Sequence, residues 1–314
     1  MIDRRVFLAS LGASCCAFGG ALSPLSRFKL GAISDGFSPD FEQALKTMKS
    51  YGLTWVEIRQ VYGIYNTETS SAQIQQIKNL LDKYEFRVSV IDSALYKCTL
   101  PGTKPVVGEK DSYPYAGQMD LLKRACERAH AFGAAKIRGF SFWRVAEPGK
   151  LTERIATELG KAAEVANAAG MRLVIENEET CNAATGRELA RVLAEAPAAN
   201  LGANWDVGNG YWQGEASFPD GYNALDKKRI WHAHLKGVHC GGNFQNCSET
   251  LAGKGQNDLV GQFKSFLQDG YHETMSLECE FELPGVSHLE TSERSLASLL
   301  RAMTAAVSTQ GAQS

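Results

Sequence analysis

One arrangement recurs along the chain from residue 28 onward: a short apolar strand, a loop, an amphipathic helix ending near glycine, and then another strand. Helix, glycine and strand follow one another at Gly52 before Leu53 to Ile58, at Gly133 before Ala135 to Gly139, at Gly170 before Met171 to Glu176, and at Gly270 before Thr274 to Glu280. Glycine just past a helix end takes the left-handed conformation that closes the last turn, so these residues punctuate the chain. The helices carry a 3.6-residue period. Phe41, Leu45 and Met48 share a face, as do Ile74, Ile77 and Leu81, and Leu296, Leu299, Leu300, Met303 and Val307 form the longest stripe. Candidate strands begin near residues 28, 53, 86, 135, 171, 201, 230 and 274, each followed by a helix-compatible segment. Eight βα units predict an α/β fold, a single (β/α)8 TIM barrel over residues 28–307, with a polar tail at 308–314. An open doubly wound sheet is the alternative topology, but the GxGxxG fingerprint of a dinucleotide site is absent after the first strand.

The length of 314 residues would by itself suggest two domains, yet no interior stretch is Pro-rich or simple enough to be a linker, so one domain is expected. Hydrophobic residues make up 44%, enough for one large core. With 33 basic against 35 acidic side chains the net charge is −2, which supplies no broad positive field for nucleic acid or an anionic membrane.

The first 25 residues read differently. Asp3-Arg4-Arg5-Val6-Phe7-Leu8, followed by a mild Ala/Gly/Ser/Cys stretch, has the form of a twin-arginine export signal, with a small-residue cleavage site near Gly19-Gly20-Ala21. A periplasmic or exported location is therefore expected. After that signal no run of about 18 apolar residues remains that could span a bilayer. Cleavage would leave Cys98, Cys126, Cys181, Cys240, Cys247 and Cys279, which show no CxxC pair and no structural-zinc spacing. Cys240 and Cys247 flank a Gly-Gly-Asn loop, where a disulfide and two free thiols both fit.

Barrel enzymes carry their chemistry at the C-terminal ends of the strands. Four late strands end in residues that can bind a metal: Glu176 on the fifth, Asp206 on the sixth, His234 on the seventh and Glu278 on the eighth. Alternation places each on the face opposite an apolar set: Leu173 and Ile175, Ala203 and Trp205, Ala233 and Leu235, Met275 and Leu277. Three carboxylates and one imidazole make a mostly oxygen site suited to Mn²⁺ first, with Mg²⁺, Co²⁺ or Zn²⁺ as alternatives, and a divalent ion removes the repulsion among such acids. Lys236, on the same face as His234, is a candidate to stabilise an oxyanion or protonate a leaving hydroxyl. Weaker candidates for substrate contact are Glu57 at the end of strand two, His232, and the aromatic side chains Trp143 and Trp212 that follow strands four and six.

These motifs stand as Leu173-Val-Ile-Glu176-Asn177, Asn204-Trp-Asp206-Val-Gly-Asn209, His232-Ala-His234-Leu-Lys236, Gly253-Lys-Gly255-Gln-Asn-Asp258 and Ser276-Leu-Glu278-Cys-Glu280. In them the chain resembles the xylose isomerase-like TIM-barrel superfamily, the sugar phosphate isomerase/epimerase group that includes ketose 3-epimerases, inosose dehydratases and isomerases, and endonuclease IV. The resemblance implies metal ligands at Glu176, Asp206, His234 and Glu278, with Glu176 and Glu278 as the acid/base pair on the two faces of a sugar. It departs at Asn209, where epimerases of the group usually carry His; the His-x-Lys of His234 and Lys236 looks more like the inosose dehydratase and isomerase branch. The expected activity is a divalent-metal-dependent isomerisation or epimerisation of a sugar, keto-sugar or cyclitol by proton abstraction next to a carbonyl, the alternative being a lyase or dehydratase on a keto-sugar or 3-keto-glycoside. Six histidines are too few for the three-zinc centre of an endonuclease IV-like repair enzyme. The expected partner is a small carbohydrate, and a homo-oligomer is compatible with the sequence.

Overall fold

The computed structural model describes residues 23–196 and 198–310, with side chains as far as 308. The export signal expected at residues 1–25 lies outside the described residues except for its last three positions, and so does the end of the tail from 311. Eight strands form one parallel sheet: β1 (Lys29–Ala32), β2 (Trp55–Ile58), β3 (Arg87–Leu95), β4 (Lys136–Gly139), β5 (Arg172–Glu176), β6 (Leu201–Asp206), β7 (Ile230–Leu235) and β8 (Thr274–Leu277). They pair in chain order from β2 to β8, and β8 then pairs with β1. The ring closes between β1 and β2 through one parallel bridge, Ile33 to Glu57. Gly31 permits that approach, because a Cβ there would lie 2.7 Å from the carbonyl oxygen of Trp55.

Among the described residues seven helices of ten residues or more cover the outside: α1 (Phe41–Ser50), α2 (Ser71–Tyr84), α3 (Gln118–Phe132), α4 (Thr152–Ala168), α5 (Gly186–Glu195), α6 (Leu259–Gln268) and α7 (His288–Gln310). Their starts are set by side-chain caps: Asp40 and Asp258 accept from backbone N–H groups one turn on, and Ser70 with Gln73 and Thr185 with Glu188 form reciprocal capping boxes. Gly52, Gly133, Gly170 and Gly270 all take the left-handed conformation, with φ between 69° and 82°. The predicted stripes face inward. Phe41, Leu45, Met48, Leu296, Leu299 and Met303 are fully or almost fully buried, and each such side chain contributes about 1.5–3 kcal/mol of burial. Among the described residues no helix is long and apolar enough to cross a membrane.

Two expectations are corrected. The segment after β6 is not a full helix: it breaks into short turns at Asn209–Gln213 and Ser217–Gly221 and a three-residue helix at Tyr222–Ala224, because Gly208, Gly210, Gly214 and Pro219 deny it a continuous helical run. After β7 the chain forms an antiparallel hairpin, Gly237–Gly241 with Gln245–Thr250, before α6 begins. Cys240 and Cys247 face each other across that hairpin and are joined as a disulfide.

Candidate metal centre at the barrel mouth

Strand pleating brings Glu176, Asp206, His234 and Glu278 to one place. Register pairs Asp206 with His234 and His234 with Ser276, which sets Glu278 two residues beyond that level, while Glu176 pairs with Asn204, two residues before Asp206. Each of the four residues is at most 4% exposed. One potential ligand atom from each lies within 4.8 Å of all the others. The carboxylates are individually held. Asp206 Oδ1 accepts from the backbone N–H groups of Gly208 and Asn209 at 2.8 and 2.7 Å. Glu176 Oε2 accepts from Arg138 Nη1 at 2.8 Å, while Glu176 Oε1 and Glu278 Oε2 lie 3.0 and 3.4 Å from His234 Nδ1. Asp206 Oδ2 and Glu278 Oε2 are buried and have no hydrogen-bond partner, although Lys236 Nζ stands 3.2 and 2.7 Å from them in ion-pair contact. An oxygen-rich donor set with two such orphaned carboxylate oxygens fits a divalent cation.

The electrostatics are those of acids crowded around cations. Burial opposes charge on His234, but Glu176, Glu57 and Glu278 outweigh it and hold the imidazolium well above its usual range. Burial also opposes the Lys236 ammonium, and Asp206 and Glu278 overcome it in the same way. Burial pushes Asp206 up to about 7 despite Lys236, whereas Lys236 and His234 keep Glu278 well below the carboxylate range against the same burial.

Beside Glu278 opens a cavity of about 690 Å³. Glu278, Glu280 and Arg59 border it on one side; Tyr65, Tyr113, Lys97 and Trp143 border it on the other. Arg59 ties Asp35, Glu278 and Glu280 together, and Lys97 donates to Glu178 at 3.0 Å. Trp143 is fixed by its Nε1–H, which donates to Asp111 at 2.8 Å.

The sequence-derived candidates separate on this map. The four ligand candidates and Lys236 converge. Asn209 is buried beside them, where its Oδ1 accepts from Lys236 and its side-chain amide donates to the Asn177 carbonyl. Trp143 lines the cavity, but Trp212 packs beside Tyr211 and Cys247 and is not part of its wall. Glu57 and His232 lie fully buried beneath His234 rather than on the cavity wall, because alternation on β2 and β7 turns them toward the barrel axis below the mouth. Sequence reasoning missed Arg138 as a site residue. The alternation test would have found it on β4, where Lys136 and Arg138 flank Ile137. Tyr65 comes from a two-residue hairpin strand and Tyr113 from an irregular loop, and neither is long enough to give a periodic signal.

The profile of the xylose isomerase-like TIM barrel matches residues 45–306. Among curated protein sequences no match reaches significance. Similar solved structures include the IOLI protein with a bound zinc atom (TM-score 0.70, 13% identity, covering 90% of this chain and 99% of that one). A xylose isomerase-like TIM-barrel protein from Mycobacterium smegmatis in complex with magnesium is also similar (TM-score 0.66, 14% identity, covering 91% and 99%). So is the 3-keto-D-glucoside 4-epimerase YcjR of E. coli (TM-score 0.63, 15% identity, covering 87% and 99%). At these identities the structures share a fold, and the sequence profile carries the assignment: the chain belongs to the xylose isomerase-like TIM-barrel family.

Proposed function

We propose that this protein is a divalent-metal-dependent isomerase or epimerase of a sugar, keto-sugar or cyclitol, with Glu176, Asp206, His234 and Glu278 as ligands. The supporting observation is the convergence of those four buried side chains, from successive strand ends, beside an open cavity that Glu278 lines. A divalent ion there would act as a Lewis acid toward a carbonyl and its neighbouring hydroxyl, with Mn²⁺ favoured and Mg²⁺, Co²⁺ or Zn²⁺ as alternatives. The chain's own residues supply the rest. Glu176 and Glu278, from the ends of β5 and β8, serve as the pair that removes and returns the proton next to the carbonyl. Arg138 fixes Glu176 Oε2, and Lys236, held by Asn209, would turn an N–H to a developing oxyanion once a cation takes over Asp206 and Glu278.

The cavity favours a second reading as well. At about 690 Å³ it has room for more than one sugar ring, which supports a 3-keto-glycoside substrate and elimination of the glycosidic oxygen with Lys236 as proton donor. Mass analysis of products formed in D₂O separates the two: deuterium gained with the sugar intact supports isomerisation, and loss of an aglycone or water supports elimination. We also propose export through the Arg4-Arg5 signal. The Cys240–Cys247 disulfide supports an oxidising compartment, and such a location favours a neutral sugar or glycoside over a sugar phosphate. Turnover of phosphorylated sugars alone would count against it. For the site as a whole the test is metal content with turnover: one equivalent of Mn²⁺ bound and activity lost in Glu176→Gln supports the reading, whereas less than half an equivalent or unchanged turnover overturns it.

A further inference from the structure

Beneath the four ligands a line of buried polar side chains runs down the barrel axis. Lys136, at the N-terminal end of β4, places Nζ 2.7 Å from the Trp231 carbonyl, 3.1 Å from Glu273 Oε2 and 2.8 Å from Thr274 Oγ1, so each of its three hydrogens has an acceptor. Thr274 Oγ1 lies 2.8 Å from His232 Nδ1. His232 Nε2 lies 2.8 Å from Glu57 Oε2, and Glu57 Oε1 lies 3.0 Å from His234 Nε2. From Lys136 through Thr274, His232 and Glu57 to His234, each side chain is at most 5% exposed.

Donor and acceptor roles assign the protons along this line. Lys136 can only donate, so it occupies a lone pair of Thr274, whose own hydrogen then turns to His232 Nδ1. That ring therefore carries its proton on Nε2 and donates it to Glu57. A carboxylate only accepts, so the second oxygen of Glu57 requires a proton on His234 Nε2. Asn204 Nδ2 lies 3.1 Å from that same nitrogen while its Oδ1 has no partner, so exchanging the two amide atoms satisfies the oxygen and gives the N–H a second acceptor. His234 Nδ1 faces Glu176 Oε1 at 3.0 Å and carries the second proton of the imidazolium, so with Nε2–H held by Glu57 it is Nδ1 that would give up its proton to a cation.

We infer that this Lys136–Thr274–His232–Glu57 relay sets the tautomer of His234 and so prepares Nδ1 as a ligand, making Glu57 and Thr274 positioning residues for the centre. The inference rests on the metal reading above. It also accounts for the second cluster of ligand-type atoms, Glu57, His232 and His234, as a hydrogen-bonded chain rather than a second ion site.

The experiment is calorimetric titration of Zn²⁺ into the full chain, together with ¹⁵N NMR of the histidine rings, neither of which needs substrate. Outer partners of ligating histidines typically affect metal affinity by about 10–100-fold, so Glu57→Gln is expected to weaken Zn²⁺ binding by about that factor. Thr274→Val, which cuts the relay three links from the metal while keeping the side chain's shape, is expected to weaken it by about 3–10-fold, and Thr274→Ser, which restores the hydroxyl, to return it to within about twofold. The Thr274 pair decides the matter if Glu57→Gln does not fold. In the Zn²⁺-loaded wild type, His234 is expected to keep its proton on Nε2. Wild-type affinity in both Glu57→Gln and Thr274→Val, Nε2 as the metal-bound nitrogen, or a second tightly bound Zn²⁺ overturns the relay alone. Failure of the wild type to bind any ion overturns the metal reading with it.

Discussion

The barrel mouth has two unlike halves. From β5 to β8 each strand end delivers one buried ligand-type side chain, and the hydrogen bonds around them leave little freedom. From β2 to β4 the wall is built by a short hairpin carrying Tyr65, by an irregular stretch from residue 96 to residue 114 carrying Lys97 and Tyr113, and by Arg138 and Trp143. Long stretches without helix or strand in a compact domain usually carry function. The contrast assigns different work to the two halves. Pleated strand ends position the reacting groups, and adaptable loops shape the room in which the rest of the substrate sits.

The sharpest way to break this division is to remove a carboxylate from the β5–β8 half. Glu278→Gln and Glu176→Gln are each expected to lower turnover by about 10³-fold or more, since general acid/base groups contribute about 10²–10⁴-fold; activity within tenfold of wild type would end the division. Lys236→Met should follow. It strands Asp206 and Glu278 without their cation, and breaking a buried pair costs about 3–5 kcal/mol. Thermal denaturation is expected to show that loss in metal-free protein and recovery of most of it with saturating Mn²⁺; a loss that Mn²⁺ leaves unchanged would separate Lys236 from the centre.

The floor of the barrel supplies a pH-dependent control. Burial lowers the Lys136 pKa to about 8 against the pull of Glu273. Its folded value lies below the unfolded 10.5, so between about pH 8 and 10.5 the unfolded chain binds more protons at this site and stability rises with pH, by about 3 kcal/mol in total. The stability difference between wild type and Lys136→Met, measured by denaturant titration across that window, should rise accordingly, and a flat difference would refute it. The smallest effect belongs to the β2–β4 half: Tyr113→Ala is expected to raise KM for a glycosidic substrate by about tenfold with kcat changed less than about threefold. A kcat loss as large as that of Glu278→Gln would erase the distinction between the halves.

The two halves also differ in what the sequence disclosed. Ligands on strand ends announce themselves through alternation, since Leu173 and Ile175 or Ala233 and Leu235 fix the face on which Glu176 and His234 must point. Strand starts near 53, 135, 171 and 274 fell within two residues of those observed because glycine after a helix fixes the following strand. Arg138 obeys the same alternation and was passed over because β4 ends in no acid. Tyr65 and Tyr113 reach the cavity from a two-residue hairpin strand and an irregular loop, neither of which has a sequence period. The depth of Glu57 and His232 escaped as well: alternation tells inward from outward but not floor from mouth, and the level depends on how strands stagger around the barrel. The break after β6 was written in Gly208, Gly210, Gly214 and Pro219, and a count of eight repeats hid it.

The most direct measurement is deuterium exchange into a keto-sugar in D₂O, followed by NMR for protein loaded with Mn²⁺, for chelated protein, and for Glu176→Gln and Glu278→Gln. The account predicts exchange at one carbon next to the carbonyl in the loaded wild type, and near-complete loss of that exchange on chelation and in both variants. Exchange that persists undiminished after chelation, or in either variant, would contradict it.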